Sequence, residues 1–273
     1  MNKNVVSTAW LAERIDEPNL IILDATLPSK IPEQLNGKCI QNAQYFDLKN
    51  KFSDTEAIFP NTFPSVEKFE KGCSNLGIKK NSIIVVYDVD GIYASPRVWW
   101  MFKTIGFEEI YVLNGGLRKW ISDGYKVVDN YKTPSTNNNF KIDFRKIEAF
   151  RSYSFIKENL SSQTIITIDA RSKGRYNATE EEPRKELKSG CIPNSINIPY
   201  TDVLENGSFK SEAELKFIFQ KIIKMKPHEL VFSCGSGVTA CIILLASEDI
   251  ITCKKSVYDG SWTEWATLER LLN

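Results

Sequence analysis

Hydrophobic positions along the chain form short continuous runs, and longer amphipathic stretches separate them. In the first half the runs NLIILDA, AQYF, SIIVVYD and EIYVL are rich in β-branched residues, which is typical of strands buried on both faces of a sheet. Helical patterns lie between them at residues 8–15, 65–76 and 96–105. Strands that alternate with helices predict an α/β fold in which helices cover both faces of a mainly parallel sheet.

The second half of the chain repeats the first. IILDAT around Asp24 matches ITIDAR around Asp169, and VLNGGLRKW ending at Trp120 matches VYDGSWTEW ending at Trp265. Both pairs are separated by the same offset of 145 residues. Because matches in one order at one offset indicate repeated units, we infer a tandem duplication of one α/β domain.

The repeat also sets the expected domain boundaries. The stretch DNYKTPSTNNN, which starts at residue 129, is polar, contains turn-forming residues and has no hydrophobic period. Such a stretch is typical of a linker. We therefore predict an N-terminal domain at residues 1–128, a linker at 129–143 and a C-terminal domain at 144–273.

The strongest chemical signal is a strand–loop–helix junction in the second copy. The strand pattern at 228–233 leads into Cys234, which GSGVTA and an apolar helix predicted at 238–247 follow. Gly235 and Gly237 allow a tight loop, because glycine adopts positive φ without a steric penalty. The loop N–H groups and the helix N-terminus then stabilise an anion at the thiol. Cys234 is therefore predicted to be a nucleophilic thiolate.

Neither the first copy nor the other cysteines provide a second nucleophile. Asp88 ends IVVYD at the place that Cys234 holds in LVFSC. The first domain is therefore predicted to be non-catalytic. Free cysteines most often pack inside a protein, and we assign structural roles to Cys39, Cys73, Cys191, Cys241 and Cys253.

Composition narrows the functional classes. The 273 residues carry a net charge of +1 and are 42% hydrophobic, which favours a globular protein with neither nucleic acid nor a membrane as partner. No apolar run reaches the roughly 18 residues of a membrane span, and charged residues interrupt the N-terminus before a secretion signal forms. We expect a cytoplasmic protein. Six unclustered cysteines and the lone His228 predict no metal site, and no cofactor is expected.

Several motifs occur together in this chain: the tandem copies, CGSGVTA at Cys234, YDGSWTEW, SPRVWWMF from Ser95, and the DAR, GRY and EPR motifs between Asp169 and Arg184. In these motifs the chain resembles the two-domain rhodanese-type sulfurtransferases. The small neutral residues after the cysteine are similar to those of the 3-mercaptopyruvate branch. The resemblance implies two rhodanese-like domains and a persulfide on Cys234. Its sulfur comes from 3-mercaptopyruvate or thiosulfate and passes to a thiol, a thioredoxin-type protein or cyanide.

The same resemblance implies roles for individual residues. Arg175 in GRY and Arg184 in EPR hold the carboxylate of mercaptopyruvate, to which a planar guanidinium is suited. The loop residues cradle the persulfide with their N–H groups, as in an oxyanion hole: Gly235, Ser236, Gly237, Val238 and Thr239. The chain departs from the branch at two positions, since Lys49 and Asn61 stand where it places the Asp and His of a Ser-His-Asp relay.

Other functions stay open. The protein could be a thiosulfate sulfurtransferase, or its second copy could be a non-enzymatic sulfur-relay or protein-binding module. A cysteine phosphatase uses a similar loop, but it needs an arginine six residues after its nucleophile, where this chain has Ala240. Steady turnover with small donors and acceptors would separate an enzyme from a sulfur carrier.

Overall fold

The computed structural model describes residues 3–133, 139–143 and 146–272. Of the predicted linker at 129–143, residues 134–138 lie outside this description. Residues 1–2 of the predicted first domain, and residues 144–145 and 273 of the second, also lie outside it.

The first half, as described, contains seven strands: β1 (Val5–Val6), β2 (Leu20–Asp24), β3 (Cys39–Ile40), β4 (Ala43–Tyr45), β5 (Ile83–Tyr87), β6 (Ile110–Leu113) and β7 (Val127–Val128). Five of them form a parallel sheet in the order β1-β6-β5-β2-β4. β3 and β7 pair antiparallel at one side. The four predicted strands correspond to β2, β4, β5 and β6.

Three helices lie in the predicted places: α1 (Thr8–Ala12), α2 (Val66–Asn75) and α3 (Ser95–Thr104). A fourth helix that was not predicted, α4 (Gly116–Ser122), follows β6. The Oγ atoms of Ser7 and Ser65 accept backbone N–H bonds at the starts of α1 and α2, which satisfies groups that a helix N-terminus otherwise leaves unpaired. α1 ends at Ala12, before the predicted residue 15.

The described second half also contains seven strands: β8 (Phe150–Arg151), β9 (Ile165–Asp169), β10 (Ile196–Asn197), β11 (Leu204–Glu205), β12 (Ser208–Phe209), β13 (Glu229–Ser233) and β14 (Lys254–Tyr258). The parallel sheet has the order β10-β9-β13-β14-β8. This is the order of the first sheet when β8, β14, β13, β9 and β10 are matched with β1, β6, β5, β2 and β4. The two halves therefore share one topology.

The helices of the second half are α5 (Tyr153–Glu158), α6 (Lys173–Tyr176), α7 (Glu212–Met225), α8 (Ala240–Ser247) and α9 (Ser261–Leu272). Helices flank both parallel sheets, so the predicted α/β fold class is confirmed. Within the described ranges, no helix has the length and apolar character needed to cross a bilayer.

The two halves pack against each other through α3 and α8. All eight residues of α8 are buried, and nine of the ten residues of α3 are buried. Both helices contribute to one hydrophobic cluster that extends through the two halves. The backbones also meet directly, because the Ile92 N–H donates to the Gly207 carbonyl at 3.0 Å. At Gly91 an added Cβ would lie 2.5 Å from Gly207 Cα, so only glycine fits there.

Candidate active site

The loop after β13 places Cys234 between the buried second sheet and the first turn of α8. All five residues of β13 are buried, and Cys234 itself is 2% exposed. Its neighbours Gly235, Ser236 and Thr239 are partly exposed, so the loop borders solvent. α8 begins at Ala240, two residues later than predicted, because residues 235–239 remain in the loop.

The two loop glycines are required for different reasons. Gly237 has φ of +77°, as the sequence predicted, and a Cβ there would lie 2.8 Å from the Asp259 carbonyl oxygen. The expectation of a left-handed conformation at Gly235 is not met, because Gly235 has no positive φ. Its requirement is for space, since a Cβ at Gly235 would lie 3.0 Å from Arg175 Nη2.

Ser261, at the start of α9, takes two of the loop N–H groups. Its Oγ accepts from the N–H groups of Cys234 and Gly237, each at 3.1 Å, and donates to the Tyr258 carbonyl at 2.8 Å. The sequence expectation that the Gly237 N–H faces the thiol is therefore wrong. This N–H instead donates to Ser261 Oγ and stabilises the loop conformation.

The other loop amides remain available to an anion. In the described part of the chain, four N–H groups of the loop donate to no protein acceptor: those of Gly235, Ser236, Val238 and Thr239. Unpaired N–H groups in a curled loop that precedes a helix form a ready site for an anion. Because Cys234 begins this loop, such a site would serve a thiolate or a persulfide.

Arg97 of α3 reaches from the first half to the loop. Its guanidinium is buried, and Nη1 lies 2.6 Å from Asp259 Oδ1. Nη1 also donates to the Gly237 carbonyl at 3.3 Å, and Nη2 donates to the Asn61 carbonyl at 2.8 Å. Asp259 in turn accepts the Phe63 N–H at 2.8 Å. One arginine thus connects the first domain to both sides of the loop.

Asn61 also contacts the loop. Its side-chain nitrogen Nδ2 lies 2.9 Å from Ser236 Oγ and 3.1 Å from the Ser236 carbonyl oxygen. Asn61 therefore lies beside Ser236, and its correspondence to the relay histidine stays a prediction. Lys49 is exposed and, among the residues described, forms no hydrogen bond or ion pair. Its correspondence to the relay aspartate stays a prediction.

Arg175, on α6, lies beside the loop and is paired with an acidic residue. Its Nε and Nη2 atoms donate to Glu182 Oε1 at 3.1 Å and Oε2 at 2.5 Å. The buried Glu182 also accepts from Arg171 Nη1 at 2.7 Å, and Arg171 is bonded to Asp169. This network holds Arg175 close to Gly235, where its Nη1 atom is not used by Glu182.

Arg184 reaches the same part of the loop through Thr263. Its Nη1 donates to Thr263 Oγ1 at 3.2 Å, and that hydroxyl donates to the Gly235 carbonyl at 2.6 Å. The structure therefore brings both arginines of the GRY and EPR motifs to the edge of the loop that starts at Cys234.

Tyr93 and Tyr200 form an aromatic wall next to these groups. The two rings, one from each domain, are edge to face with centroids 5.8 Å apart. Burial, and after it the negative forms of Tyr200 and Cys234, raises the pKa of Tyr93 to about 12, while Arg175 lowers it. The phenol is therefore neutral near pH 7 and can act as a hydrogen-bond donor.

The corresponding loop of the first domain is filled by its own carboxylate. Asp88 accepts from the N–H groups of Tyr93, Ala94 and Ser95 and from the Ser95 hydroxyl. Burial raises the pKa of this carboxyl, and the four hydrogen bonds oppose that rise. Because the side chain occupies the cradle, the first loop has no room for a sulfur anion.

Most of the other thiols are unsuited to nucleophilic chemistry. Burial raises the pKa of Cys39 to about 11 and of Cys241 to about 12. It also raises the pKa of Cys73 and of Cys253. Cys191 differs because it is exposed, so packing does not explain it. In the described ranges, no three His, Cys, Asp or Glu side chains are grouped as a metal site would require.

Sequence reasoning missed four residues that shape the site: Arg97, Asp259, Ser261 and Thr263. Arg97 lies in SPRVWWMF, which was recognised only as a motif of the first copy. The others lie in or beside YDGSWTEW. The sequence did offer one signal for these residues. The motifs that contain them follow the two equivalent loops along the chain, and only one of those loops has a cysteine.

Comparison with known proteins agrees with this architecture. The rhodanese-like domain family matches residues 7–123 and 152–268. The chain is 36% identical over 281 residues to 3-mercaptopyruvate sulfurtransferase of Homo sapiens, a match covering 96% of this chain and 91% of that protein. It is 37% identical over 278 residues to thiosulfate sulfurtransferase of Rattus norvegicus, again covering 96% and 91%.

A solved structure shows that the fold is also similar over nearly the whole chain. The crystal structure of a 3-mercaptopyruvate sulfotransferase from Escherichia coli superposes with a TM-score of 0.83 at 31% identity, and the match covers 95% of this chain and 98% of that one.

Two parallel α/β domains of one topology, with a cysteine loop in the second, define a two-domain rhodanese-type protein. The chain belongs to the rhodanese family, and it is a sulfurtransferase. The predicted family and enzyme class are confirmed.

Proposed function

We propose that this sulfurtransferase moves a sulfane sulfur from 3-mercaptopyruvate or thiosulfate to a thiol acceptor through a persulfide on Cys234. The observation that supports the proposal best is the set of loop N–H groups that have no acceptor in the described chain. Their positive ends favour an anion on the cysteine, both before and after sulfur is added. The domains proposed for this enzyme remain 1–128 and 144–273, with the second one catalytic.

The remaining groups have distinct proposed roles. Arg175 and Arg184 hold the anionic end of the donor, and Tyr93 and Tyr200 enclose it. Gly235, Ser236, Val238 and Thr239 provide N–H groups to the persulfide, while Gly237 shapes the loop. Both donors are proposed because one similar protein is named for mercaptopyruvate and another for thiosulfate. A thioredoxin-type or small thiol is the proposed acceptor, and the cytoplasm is the proposed location.

Mass spectrometry tests the persulfide directly. After brief exposure to either donor without an acceptor, the intact protein should gain the mass of one sulfur atom, and a thiol reductant should remove it. Peptide mapping should place that sulfur on Cys234. No added sulfur with both donors, or sulfur found only on the exposed Cys191, would contradict the proposed function.

Replacing Arg175 with alanine should weaken binding of mercaptopyruvate more than binding of thiosulfate. A charge-assisted hydrogen bond contributes about 1.5–3 kcal/mol, so the KM for mercaptopyruvate should rise about 10–100-fold. Glu182 retains its bond to Arg171, which limits the structural damage. Steady-state kinetics with both donors measures the effect.

Arg118→Ala is the matched control for this experiment, because Arg118 is half exposed and pairs with Asp90 in the first domain. It should leave both KM values unchanged. If Arg175→Ala raises the KM for both donors equally, the proposed role of Arg175 in binding the carboxylate is wrong.

A further inference from the structure

The contact between Asn61 and Ser236 has a defined direction. Asn61 Nδ2 lies within hydrogen-bond distance of both the Ser236 carbonyl oxygen and Ser236 Oγ. A carbonyl oxygen can only accept a hydrogen bond, so the amide group that faces Ser236 must be the NH2 group and not the amide oxygen. One hydrogen of that group goes to each Ser236 oxygen. Ser236 Oγ is therefore the acceptor in this contact.

Neighbouring groups hold Asn61 in this orientation. Its backbone has φ of +60°, a left-handed conformation that asparagine tolerates better than most residues. Its carbonyl accepts from the buried Arg97, and two residues later the Phe63 N–H donates to Asp259. The Arg97–Asp259 ion pair, which also contacts the loop, therefore holds the backbone at Asn61 and at Phe63.

The hydrogen of the Ser236 hydroxyl has no acceptor in the described part of the chain. Within the described ranges, Ser236 Oγ donates to no acceptor, and Ser236 is partly exposed. A neutral histidine in place of Asn61 could accept this hydrogen and pass a proton. Asparagine instead donates to the hydroxyl, and it does not titrate. The hydrogen bond between residue 61 and Ser236 Oγ therefore runs in the direction opposite to the one that a neutral histidine acceptor would give.

We propose that Asn61 is a positioning residue that makes Ser236 a hydrogen-bond donor to the substrate, and that it favours sulfur donors whose leaving group needs no proton. This inference rests on the proposed function, because it assigns a donor preference to the same loop.

The two donors differ in their need for a proton. When the Cys234 thiolate attacks the sulfur of mercaptopyruvate, an S–S bond forms and the C–S bond breaks. The electron pair of that bond goes to carbon and forms the enolate of pyruvate, while the thiol hydrogen of the donor stays on the outer sulfur of the persulfide. One proton must then pass from that S–H group to the enolate carbon, which gives pyruvate and a persulfide anion. With thiosulfate, the S–S bond of the donor breaks and sulfite leaves with the electron pair. No proton is needed. A hydroxyl that donates stabilises the enolate oxygen, but it delivers no relayed proton.

Among the residues that the structure describes, none beside Asn61 could replace a relay near neutral pH. The charged groups that contact this part of the loop are Arg97 and Asp259, which pair with each other. His228 precedes β13, whose other end leads to Cys234. The proton that the enolate gains is therefore exchanged through solvent and not through a side chain.

Asn61→His tests the inference. The variant should raise the ratio of kcat/KM for mercaptopyruvate to kcat/KM for thiosulfate by about 10-fold or more, since general acid–base groups contribute at least about 100-fold when well placed. It should also add an ionisation between about pH 5 and 8 to the mercaptopyruvate profile alone. Asn206→His is the matched control, because Asn206 is an exposed left-handed asparagine in the β11–β12 turn.

Ser236→Ala tests the hydroxyl itself. Loss of one donor to a developing oxyanion costs about 100-fold or more in kcat, so turnover of mercaptopyruvate should fall by about that factor and turnover of thiosulfate far less. In the Ser236→Ala background, Asn61→His should bring no gain, because the two residues act on one another.

The outcomes separate this inference from the proposed function. If wild-type protein forms the persulfide but Asn61→His leaves both the donor ratio and the pH profile unchanged, the positioning role is wrong and the proposed function stands. A gain that persists without the Ser236 hydroxyl also overturns the positioning role. If no persulfide forms with either donor, the proposed function itself fails.

Discussion

Replacing Cys234 with serine should reduce sulfur transfer from both donors by at least about 1,000-fold. A thiolate is a strong nucleophile near neutral pH, whereas a serine hydroxyl stays protonated and forms no persulfide. Four of the other thiols are poor replacements, because burial raises the pKa of Cys39, Cys73, Cys241 and Cys253. The measurement is the rate of pyruvate or sulfite release with a thiol acceptor.

Cys191→Ser is the matched control for this variant, because Cys191 is an exposed thiol in the same domain. It should keep the wild-type rate and still gain one sulfur on exposure to a donor. Substantial turnover by a correctly folded Cys234→Ser variant would show that the nucleophile lies elsewhere.

Replacing Arg97 with methionine should affect both stability and turnover. Removing one partner of a buried ion pair costs about 3–5 kcal/mol, and the lower end applies because Asp259 is 16% exposed. The loop also loses the bond from Arg97 to the Gly237 carbonyl. We expect the free energy of unfolding to fall by about 3 kcal/mol and kcat/KM for both donors to fall about 10–100-fold. Denaturant titration and kinetics at a temperature where the variant is folded measure the two effects.

Arg151→Met separates the loss of stability from the loss of catalysis. Arg151 forms a partly buried, two-pronged ion pair with Glu229, at 2.7 Å and 3.0 Å, and neither residue contacts the loop. This variant should lose stability but keep its activity when folded. If Arg97→Met behaves like Arg151→Met, then Arg97 is only a structural residue.

The place of the cysteine loop could be predicted because it is a local feature. A strand, a cysteine, two glycines and an apolar helix follow one another in the chain, so their order alone predicts a curled loop that favours an anion. Two predictions about the same loop were wrong. Gly235 is needed for space beside Arg175 and not for its φ, and α8 starts at Ala240 because the loop is longer than the glycine spacing suggested.

The amide cradle shows the limit of local reasoning. All five loop residues were expected to offer N–H groups, but Ser261 takes the N–H of Gly237 from 24 residues away. That hydroxyl reaches the loop only because β14 and β13 are neighbours in the sheet. Nothing in CGSGVTA indicates which of its amides a distant serine will occupy.

By itself, the amino-acid sequence determined that two α/β units lie in tandem and that only the second has a cysteine at the loop position where the first has Asp88, since hydrophobic periods, repeated motifs and the Asp88–Cys234 difference are all visible along the chain. Only the tertiary structure decided how the first unit serves the second. Arg97 and Asn61 lie 140 and 175 residues from the loop atoms that they bind. Such contacts depend on how α3 packs on α8, and packing between domains leaves no periodic signal in the sequence.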